Sequence, residues 1–288
     1  MLKFLTLCIS GVMLGCIYGL IALGYGLIYK ASGLMSFVQG DMLTLGAFLG
    51  LTYWLSLLLT MLCAFAFGML LEKGVIRRLL NKKVMPIYVV LATIAISYIL
   101  QNGSQLIWGT WTLNFPSVFK VSTVKLFGLL AVQPEVILCL ILSMVSMVVL
   151  HLFMNKTKLG TAMRASSMDS MAAESCGINV SLTTGITWGV SAMLAAMAGI
   201  LIGPMYGVYS SLGANLGNKG FDGAIHIAGG YGNMYGAIVG GILLGLLEIL
   251  VSGYVSSAYK NLIAYVALLL FLCIKPTGLF NERAIQDV

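Results

Sequence analysis

The chain alternates between long apolar runs and short charged or glycine-rich segments. Residues without formal charge occupy 4–29, 42–71, 84–119, 136–155, 181–209, 223–247 and 262–274. A helix needs about 20 apolar residues to cross a bilayer. Each run therefore predicts at least one span, and the last span reaches back to about residue 256. The run at 42–71 is long enough for one oversized helix or two short helices with a turn near residues 53–56. We expect about eight spans in total.

Local signals refine two of these runs. The run at 84–119 predicts a span at 86–107 followed by an external loop rich in Gly, Thr, Asn and Pro at 109–116. The dipeptide Pro134-Glu135 is a good first helical turn for the span that follows it. The first run, at 4–29, is too long for the apolar core of a removable signal peptide, so we expect it to be the first span.

Composition gives the same class of protein. Hydrophobic residues make up 60% of the chain and charged residues 9%, against about 25% charged in an ordinary soluble domain. The net charge of +7 does not indicate nucleic-acid binding, because the basic residues lie between apolar runs and form no stripe with aromatic residues. The prediction is one all-α, multi-pass transmembrane domain over residues 1–288, with broken or re-entrant segments.

The basic residues predict the orientation. They concentrate in 72–83, in 155–179 and after residue 274, whereas the intervening loops carry only Lys120, Lys125, Lys219 and Lys260. The positive-inside rule makes the first three segments cytoplasmic. The N-terminus then lies outside if 42–71 crosses twice.

Two glycine-containing breaks resemble each other. Residues 32–41 and 221–233 are each followed by a similar helix start, Gly40-Asp41-Met42 and Gly232-Asn233-Met234. This predicts a weak parallel repeat around 32–55 and 221–250. Broken helices at matching points often line a transport pathway. The alternative is that glycines only allow close helix packing, and the two explanations are compatible.

A polar segment, residues 155–179, separates two apolar runs, and we call it the coupling segment. It predicts a short amphipathic helix that Ser166, Ser167 or Asp169 caps and that ends at Gly177. A short charged helix between two spans is a place where another protein can exert force.

Four ionisable residues lie close to apolar sequence. An acid inside a bilayer is costly and is a functional candidate by default. Asp41 can alternatively cap the next helix, and Asp222 can lie at the outer interface. Glu248 is expected to bond another helix or a partner subunit. His226, beside the second break, is either a packed, hydrogen-bonded side chain or a pathway residue.

The sequence shows no signature of disulfides, of a metal site or of ATP hydrolysis. The six cysteines have no CxxC spacing, so we expect neither disulfides nor a metal site. The chain has no GxxxxGK[ST] motif, so we expect no ATP hydrolysis by it, no enzyme activity and no cofactor.

Several motifs carry a family resemblance. They are Gly160-Thr161-Ala162-Met163-Arg164-Ala165, Ala172-Ala173-Glu174, Gly177-Ile178-Asn179, Ala195-Ala196-Met197-Ala198-Gly199, Gly229-Gly230-Tyr231-Gly232, Gly236-Ala237-Ile238-Val239-Gly240-Gly241 and Lys275-Pro276-Thr277-Gly278-Leu279-Phe280. Together they resemble the membrane subunits of branched-chain amino acid ABC importers of the LivH type. One motif departs from the family: Ser36-Phe37-Val38-Gln39-Gly40 stands where its members usually have Asn-Phe-Ala-His-Gly.

The resemblance implies a permease subunit in a bacterial inner membrane that transports Leu, Ile or Val. Implied partners are a homologous permease subunit, two cytoplasmic ABC ATPases and an external substrate-binding protein. The residues expected to couple to the ATPase are Gly160, Arg164, Ala172, Ala173, Glu174 and Gly177. Those expected to line the pathway are Phe37, Gln39, Gly40, Asp41, His226, Gly229, Gly230 and Gly232.

Two alternatives stay open at this stage. The substrate can instead be urea, a short amide or another amino acid, because relatives of the family carry such compounds. From a different class, the chain can be a channel or an ion-driven transporter without ATPases. A buried charge pair would favour that class, and none is evident in the sequence.

Overall fold

The apolar runs form long helices in the computed structural model of the chain. The structure describes residues 2–33, 35–50, 53–82, 84–114, 124–126, 130–221 and 234–274. The helices are α1 (Leu2–Ser32), α2 (Val38–Leu49), α3 (Tyr53–Leu71), α4 (Arg77–Asn81), α5 (Pro86–Trp108), α6 (Pro134–Lys156), α7 (Lys158–Met168), α8 (Ser170–Ser175), α9 (Val180–Tyr206), α10 (Leu212–Phe221), α11 (Met234–Tyr254) and α12 (Lys260–Ile274). A π turn (Glu72–Ile76) joins α3 to α4, a 3-10 turn (Ser257–Tyr259) precedes α12, and an antiparallel hairpin, β1 (Val124–Leu126) and β2 (Leu130–Val132), precedes α6.

Six helices of the described residues are long and apolar enough to cross a membrane. They are Lys3–Ser32, Leu57–Asn81, Pro86–Trp108, Pro134–Lys156, Val180–Tyr206 and Tyr235–Tyr254. The run at 42–71 is divided between α2 and α3, as in one of the two predicted arrangements, but the predicted turn at 53–56 is instead the first turn of α3, so its position is wrong. The 12 residues of α2 extend only about 18 Å, which is too short to cross alone. The number of about eight spans therefore stays a prediction.

The basic segment 72–83 is helical through Asn81, so it is not simply a loop between two spans. The buried carboxylate of Glu72 accepts hydrogen bonds from Nε and Nη2 of Arg77, the first at 3.0 Å. The two charges neutralise each other within the π turn. The helix can therefore continue past an acid that would otherwise be costly to bury.

The basic residues gather at one end of the bundle. Ile28 near the end of α1 packs with Ile76, Val89 and Trp188 in one apolar cluster, and Arg77 Nη2 donates to the Ser181 carbonyl at the start of α9. This end carries Lys30, Lys73, Arg77, Arg78, Lys82, Lys156, Lys158 and Arg164. Such clustering is what the positive-inside rule expects of a cytoplasmic end. Trp188 is 4% exposed in this cluster.

Glycines bring α1 and α11 together along much of their lengths. The helices are antiparallel: Gly11 lies against Leu246 and Gly19 lies against Ile238. A methyl group at position 15 would come within 2.5 Å of the Ile242 Cα, so only glycine fits there. Helices in lipid associate through such close backbone contact because apolar side chains gain nothing by leaving lipid.

The same device places α2 against α9. A methyl group at Gly46 would meet the Cβ of Ala196 at 2.6 Å. The close-packing interpretation is therefore confirmed for Gly40 and Gly46 of α2 and for Gly241 and Gly245 of α11. The repeat around 32–55 and 221–250 stays a prediction, because residues 222–233 lie outside the described part of the chain.

A buried ion pair joins α10 to α11. Lys219 Nζ lies 2.8 Å from Glu248 Oε1 and also donates to the Asn261 side chain, while the Tyr18 hydroxyl donates to Glu248 Oε2 at 2.7 Å. Lys219 and Glu248 are 7% and 2% exposed. The prediction that Lys219 lies in an external loop is wrong. The interpretation that the chain has no buried charge pair is also wrong. The sequence does not indicate the pair because Lys219 and Glu248 are 29 residues apart.

We expect Gly245→Ala to weaken the α1–α11 contact. The added methyl group would collide with the Gly15 backbone, and overpacking of this kind costs about 1–3 kcal/mol. Gly103→Ala is the matched control, because no atom lies within 4 Å of its Cβ position. The measurement is the melting temperature of the two variants in detergent. Equal melting temperatures would contradict the packing described above.

We expect Lys219→Met to destabilise the chain by about 3–5 kcal/mol, because it leaves the Glu248 carboxylate buried without its nearest cation. The double variant Lys219→Met/Glu248→Gln should recover part of the loss. Lys260→Met is the control, since Lys260 lies 3.8 Å from Glu248 and its side chain is more exposed. Thermal unfolding of the purified variants tests the order. If Lys260→Met lowered the stability as much as Lys219→Met, the Lys219–Glu248 pair would contribute no more to stability than the longer Lys260–Glu248 contact.

Candidate coupling surface and translocation pathway

The coupling segment begins tightly against the end of α6. Thr157 caps α7: its Oγ1 accepts a hydrogen bond from Gly160 N at 3.0 Å and donates to the Phe153 carbonyl at 2.7 Å. A methyl group at Gly160 would lie 2.6 Å from the Met154 Cα. Gly160 is therefore needed for the sharp turn from α6 into α7.

Three further contacts fix α7 to the spans on either side. Arg164 Nη1 donates to Asn155 Oδ1 at 2.8 Å, which ties the helix back to α6. Ser166 Oγ and Thr183 Oγ1 are 3.0 Å apart and join it to α9. Met163 is buried in the main core. Contacts on both sides therefore attach α7 to α6 and α9.

The predicted short helix is α8, which follows α7 and ends before Gly177, whereas α7 itself was not predicted. Asp169 ends α7 and caps α8, with its Oδ1 accepting from Met171 N and Ala172 N. The other two cap candidates, Ser166 and Ser167, lie inside α7. An extended residue is needed at a cap position, and Asp169, at φ −151° and ψ 109°, breaks the helix in two.

The predicted stop at Gly177 is confirmed. Its φ is +82°, Gly177 N donates to the Glu174 carbonyl and Ile178 N donates to the Ala173 carbonyl. These two bonds form a Schellman motif, which favours glycine at this position. Asn179 then caps α9 by accepting from Leu182 N.

The resulting surface has an exposed face. Ala172 and Glu174 are exposed, whereas Ala173 is buried. Two methionines that the sequence prediction did not include, Met168 and Met171, are 85% and 79% exposed. The available signal was the presence of apolar methionines in a polar segment. Methionine adapts to partner surfaces, so this face suits a protein contact.

Four of the residues predicted to line the pathway lie together at the start of α2. Gln39, Gly40 and Asp41 are buried and Phe37 is half-buried. Gly40 lets α10 approach: a methyl group there would be 2.6 Å from the Gly213 carbonyl oxygen. The other four, His226, Gly229, Gly230 and Gly232, lie outside the described residues.

Gln39 and Ser191 together link three helices, α2, α9 and α1. Its Nε2 donates to the Ser191 carbonyl of α9 at 2.7 Å, and Ser191 Oγ donates to the Gly24 carbonyl of α1, also at 2.7 Å. Ser191 lies eight residues beyond Thr183, which is about 12 Å along α9. One continuous helix therefore contacts both the coupling segment and the start of α2.

Asp41 does not cap α2, so that prediction is wrong. It lies inside the first turn, and the cap position is occupied by Phe37, which provides no side-chain cap. Asp41 Oδ2 instead accepts a hydrogen bond from Ser97 of α5, and Gln101 Nε2 donates to Ser97 Oγ. Phe37 N donates to Thr93 Oγ1 at 3.3 Å.

These contacts form a polar seam, which comprises residues 36–41 together with Thr93, Ser97 and Gln101 of α5. The three α5 residues were not predicted as site residues. Their spacing of four within an apolar run places them on one helix face, and that signal was available in the sequence. Which helix they face was not available. Within the described residues, no group of three or more His, Cys, Asp or Glu side chains could hold a metal ion.

Comparison with known proteins matches this architecture to one family. Residues 7–272 match the family described as branched-chain amino acid transport system / permease component. The chain is 30% identical over 308 residues to the high-affinity branched-chain amino acid transport system permease protein LivH of Salmonella typhimurium and to that of Escherichia coli K12, over 100% of this chain and 98% of each relative. It is 30% identical over 311 residues to the permease protein BraD of Pseudomonas aeruginosa, over 99% of this chain and 98% of that relative.

No solved structure matches the chain at a significant level. The family match covers more than nine-tenths of the sequence and includes both the coupling segment and the polar seam. The chain therefore belongs to the permease components of branched-chain amino acid transport systems.

Proposed function

We propose that this chain is a membrane-spanning subunit of a bacterial inner-membrane ABC importer and forms part of the pathway for Leu, Ile or Val. The observation that carries the proposal is the coupling segment: two capped helices, fixed to two spans, with an exposed methionine-flanked face at the basic end of the bundle. A channel or transporter that functions without cytoplasmic ATPases would not require an exposed contact face of this kind.

The partners follow from this assignment. Two cytoplasmic ABC ATPases supply the energy, and one of them receives α8 and Glu174. A substrate-binding protein delivers the amino acid from outside. A homologous permease subunit completes the pathway. The relatives' names, which specify branched-chain amino acid transport, support the substrate.

The mechanism is rigid-body coupling. When the ATPases close on ATP they displace α7 and α8, and the bonds Arg164–Asn155 and Ser166–Thr183 pass that displacement to α6 and α9. α9 in turn contacts Gln39 at the start of α2. The hydrogen bonds thus connect the ATPase contact to the predicted pathway residues through one helix.

The buried Lys219–Glu248 pair supplies the feature that would favour an ion-driven transporter. Its polar atoms are bonded to one another, to Tyr18 and to Asn261, and the pair lies between α10, α11, α1 and α12. A fully bonded pair of this kind supports a structural role. The ATP-driven importer therefore stays the preferred function.

Glu174→Arg should abolish association with the ATPase, because it reverses the charge of an exposed residue at the proposed contact. Met171→Asp should weaken association through the exposed apolar face. The measurement is the amount of ATPase that copurifies with the tagged chain. Lys82→Glu is the control, since it reverses an exposed charge at the same end but outside the coupling segment. Full retention of the ATPase by both coupling-segment variants would refute the assigned contact.

Deletion of the chain from cells should remove high-affinity uptake of labelled valine and leave uptake of labelled urea unchanged. The substrate class decides this result, because the binding protein and the pathway select for the same compound. Restoring the chain on a plasmid should restore valine uptake. Loss of urea uptake with valine uptake unchanged would instead support the alternative that the substrate is urea or a short amide.

A further inference from the structure

Asp41 is a buried carboxylate that no cation pairs with among the described residues. Its side chain is 2% exposed, Ser97 bonds one of its oxygens, and the other, Oδ1, has no hydrogen-bond partner among the described atoms. The ion pairs of the described residues involve only Glu72 and Glu248 as acids.

The other two buried acids of the described residues are each neutralised by a cationic side chain, as expected of a carboxylate with a structural role. Glu72 is paired with Arg77, and Glu248 is paired with Lys219. An uncompensated carboxylate in a low-dielectric interior costs several kcal/mol. Because Asp41 is the one of these three that no described Lys or Arg pairs with, it is the one suited to receive a cation from a ligand.

The start of α2 offers the complementary group. Ser36 is 3% exposed, and its hydroxyl has no hydrogen-bond partner among the described atoms. The N-cap residue, Phe37, provides no side-chain cap. Peptide N–H groups in a first helical turn lack intrahelical acceptors and carry partial positive charge, so they favour an anion.

We propose that Asp41 receives the protonated α-amino group of an amino acid crossing the membrane, with Ser36 and the start of α2 facing its carboxylate. This rests on the proposed function and names the atoms that would recognise its substrate. Asp41 is four residues beyond the N-cap, about 6 Å along the helix axis. A zwitterion with one hydrogen bond at each end can bridge that distance, whereas neutral urea offers no ammonium group.

Displacement of α5 would open this site. α5 meets α2 through the hydrogen bonds of the polar seam and, farther along, through the stacked rings of Phe48 and Trp108, whereas side chains such as Ile87, Tyr98 and Ile99 of α5 are exposed. At the seam itself the contact is polar, so its hydrogen bonds can be exchanged for those of a zwitterion. The structure thus represents the seam in its closed arrangement.

Carbodiimide labelling tests the ammonium contact directly. Dicyclohexylcarbodiimide modifies carboxyl groups in apolar surroundings, and mass spectrometry locates the modified residue in membranes that contain the complete transporter. L-valine and isobutylamine, which carry an ammonium group, should protect Asp41, and isovalerate, which carries only the carboxylate, should not. At ten times its dissociation constant, valine should lower Asp41 labelling to about a tenth. Glu72 and Glu248 are internal controls whose labelling should not respond.

Three results would overturn the proposal: no protection by valine, protection by isovalerate without isobutylamine, or equal protection by sodium chloride. The last result would identify an inorganic cation site instead.

Substitution gives an independent readout. Asp41→Asn should reduce valine uptake at least tenfold while the chain and its ATPase still copurify, and Asp41→Glu should recover part of the uptake. Ser104→Ala is the matched control, because this buried α5 hydroxyl bonds only its own helix at Gln101 O. Unchanged valine uptake by Asp41→Asn would refute the contact between Asp41 and the ammonium group but leave the permease assignment intact. Valine uptake that is independent of the wild-type chain would remove the permease assignment itself.

Discussion

The structure depends on one constraint: a polar group inside the hydrocarbon region must find its partner within the protein. Glu72 meets it through Arg77, Glu248 through Lys219 and Tyr18, and Gln39 through the Ser191 carbonyl. The last two solutions join different helices, which packing alone would leave free to slide in lipid. Polar bonds thus fix the register of helices whose apolar surfaces are nearly interchangeable with lipid tails.

Close backbone approach makes these bonds possible. The glycines of α1 and α11 remove the side chains that would hold the helices apart, and Gly46 does the same for α2 on α9. The short helix α2 therefore lies inside the bundle, with its first turn among α5, α9 and α10. A buried half-length helix with an uncapped start is a feature that lipid would not tolerate at its surface, and here it brings Asp41 to the polar seam.

α9 connects the two candidate sites. It receives Ser166 of the coupling segment at Thr183 and Gln39 of α2 at the Ser191 carbonyl. Since α9 is almost entirely buried, it has little freedom to bend without disturbing its neighbours. Rigid transmission along this helix is the simplest physical link between a cytoplasmic motor and the middle of the membrane.

The sequence by itself determined the membrane class, the bounds of most long helices, the basic end and the Gly177 stop, because these depend on composition, period and local backbone chemistry. It offered Asp169 as one of three cap candidates. It identified Gln39 and Asp41 as candidate pathway residues, with a cap as the alternative role of Asp41. Only the tertiary structure decided that Ser97 faces Asp41, that Lys219 pairs with Glu248 and that Met168 and Met171 are exposed. Those outcomes depend on which helices meet and at what register, and a local pattern carries no information about a partner 29 or 56 residues away.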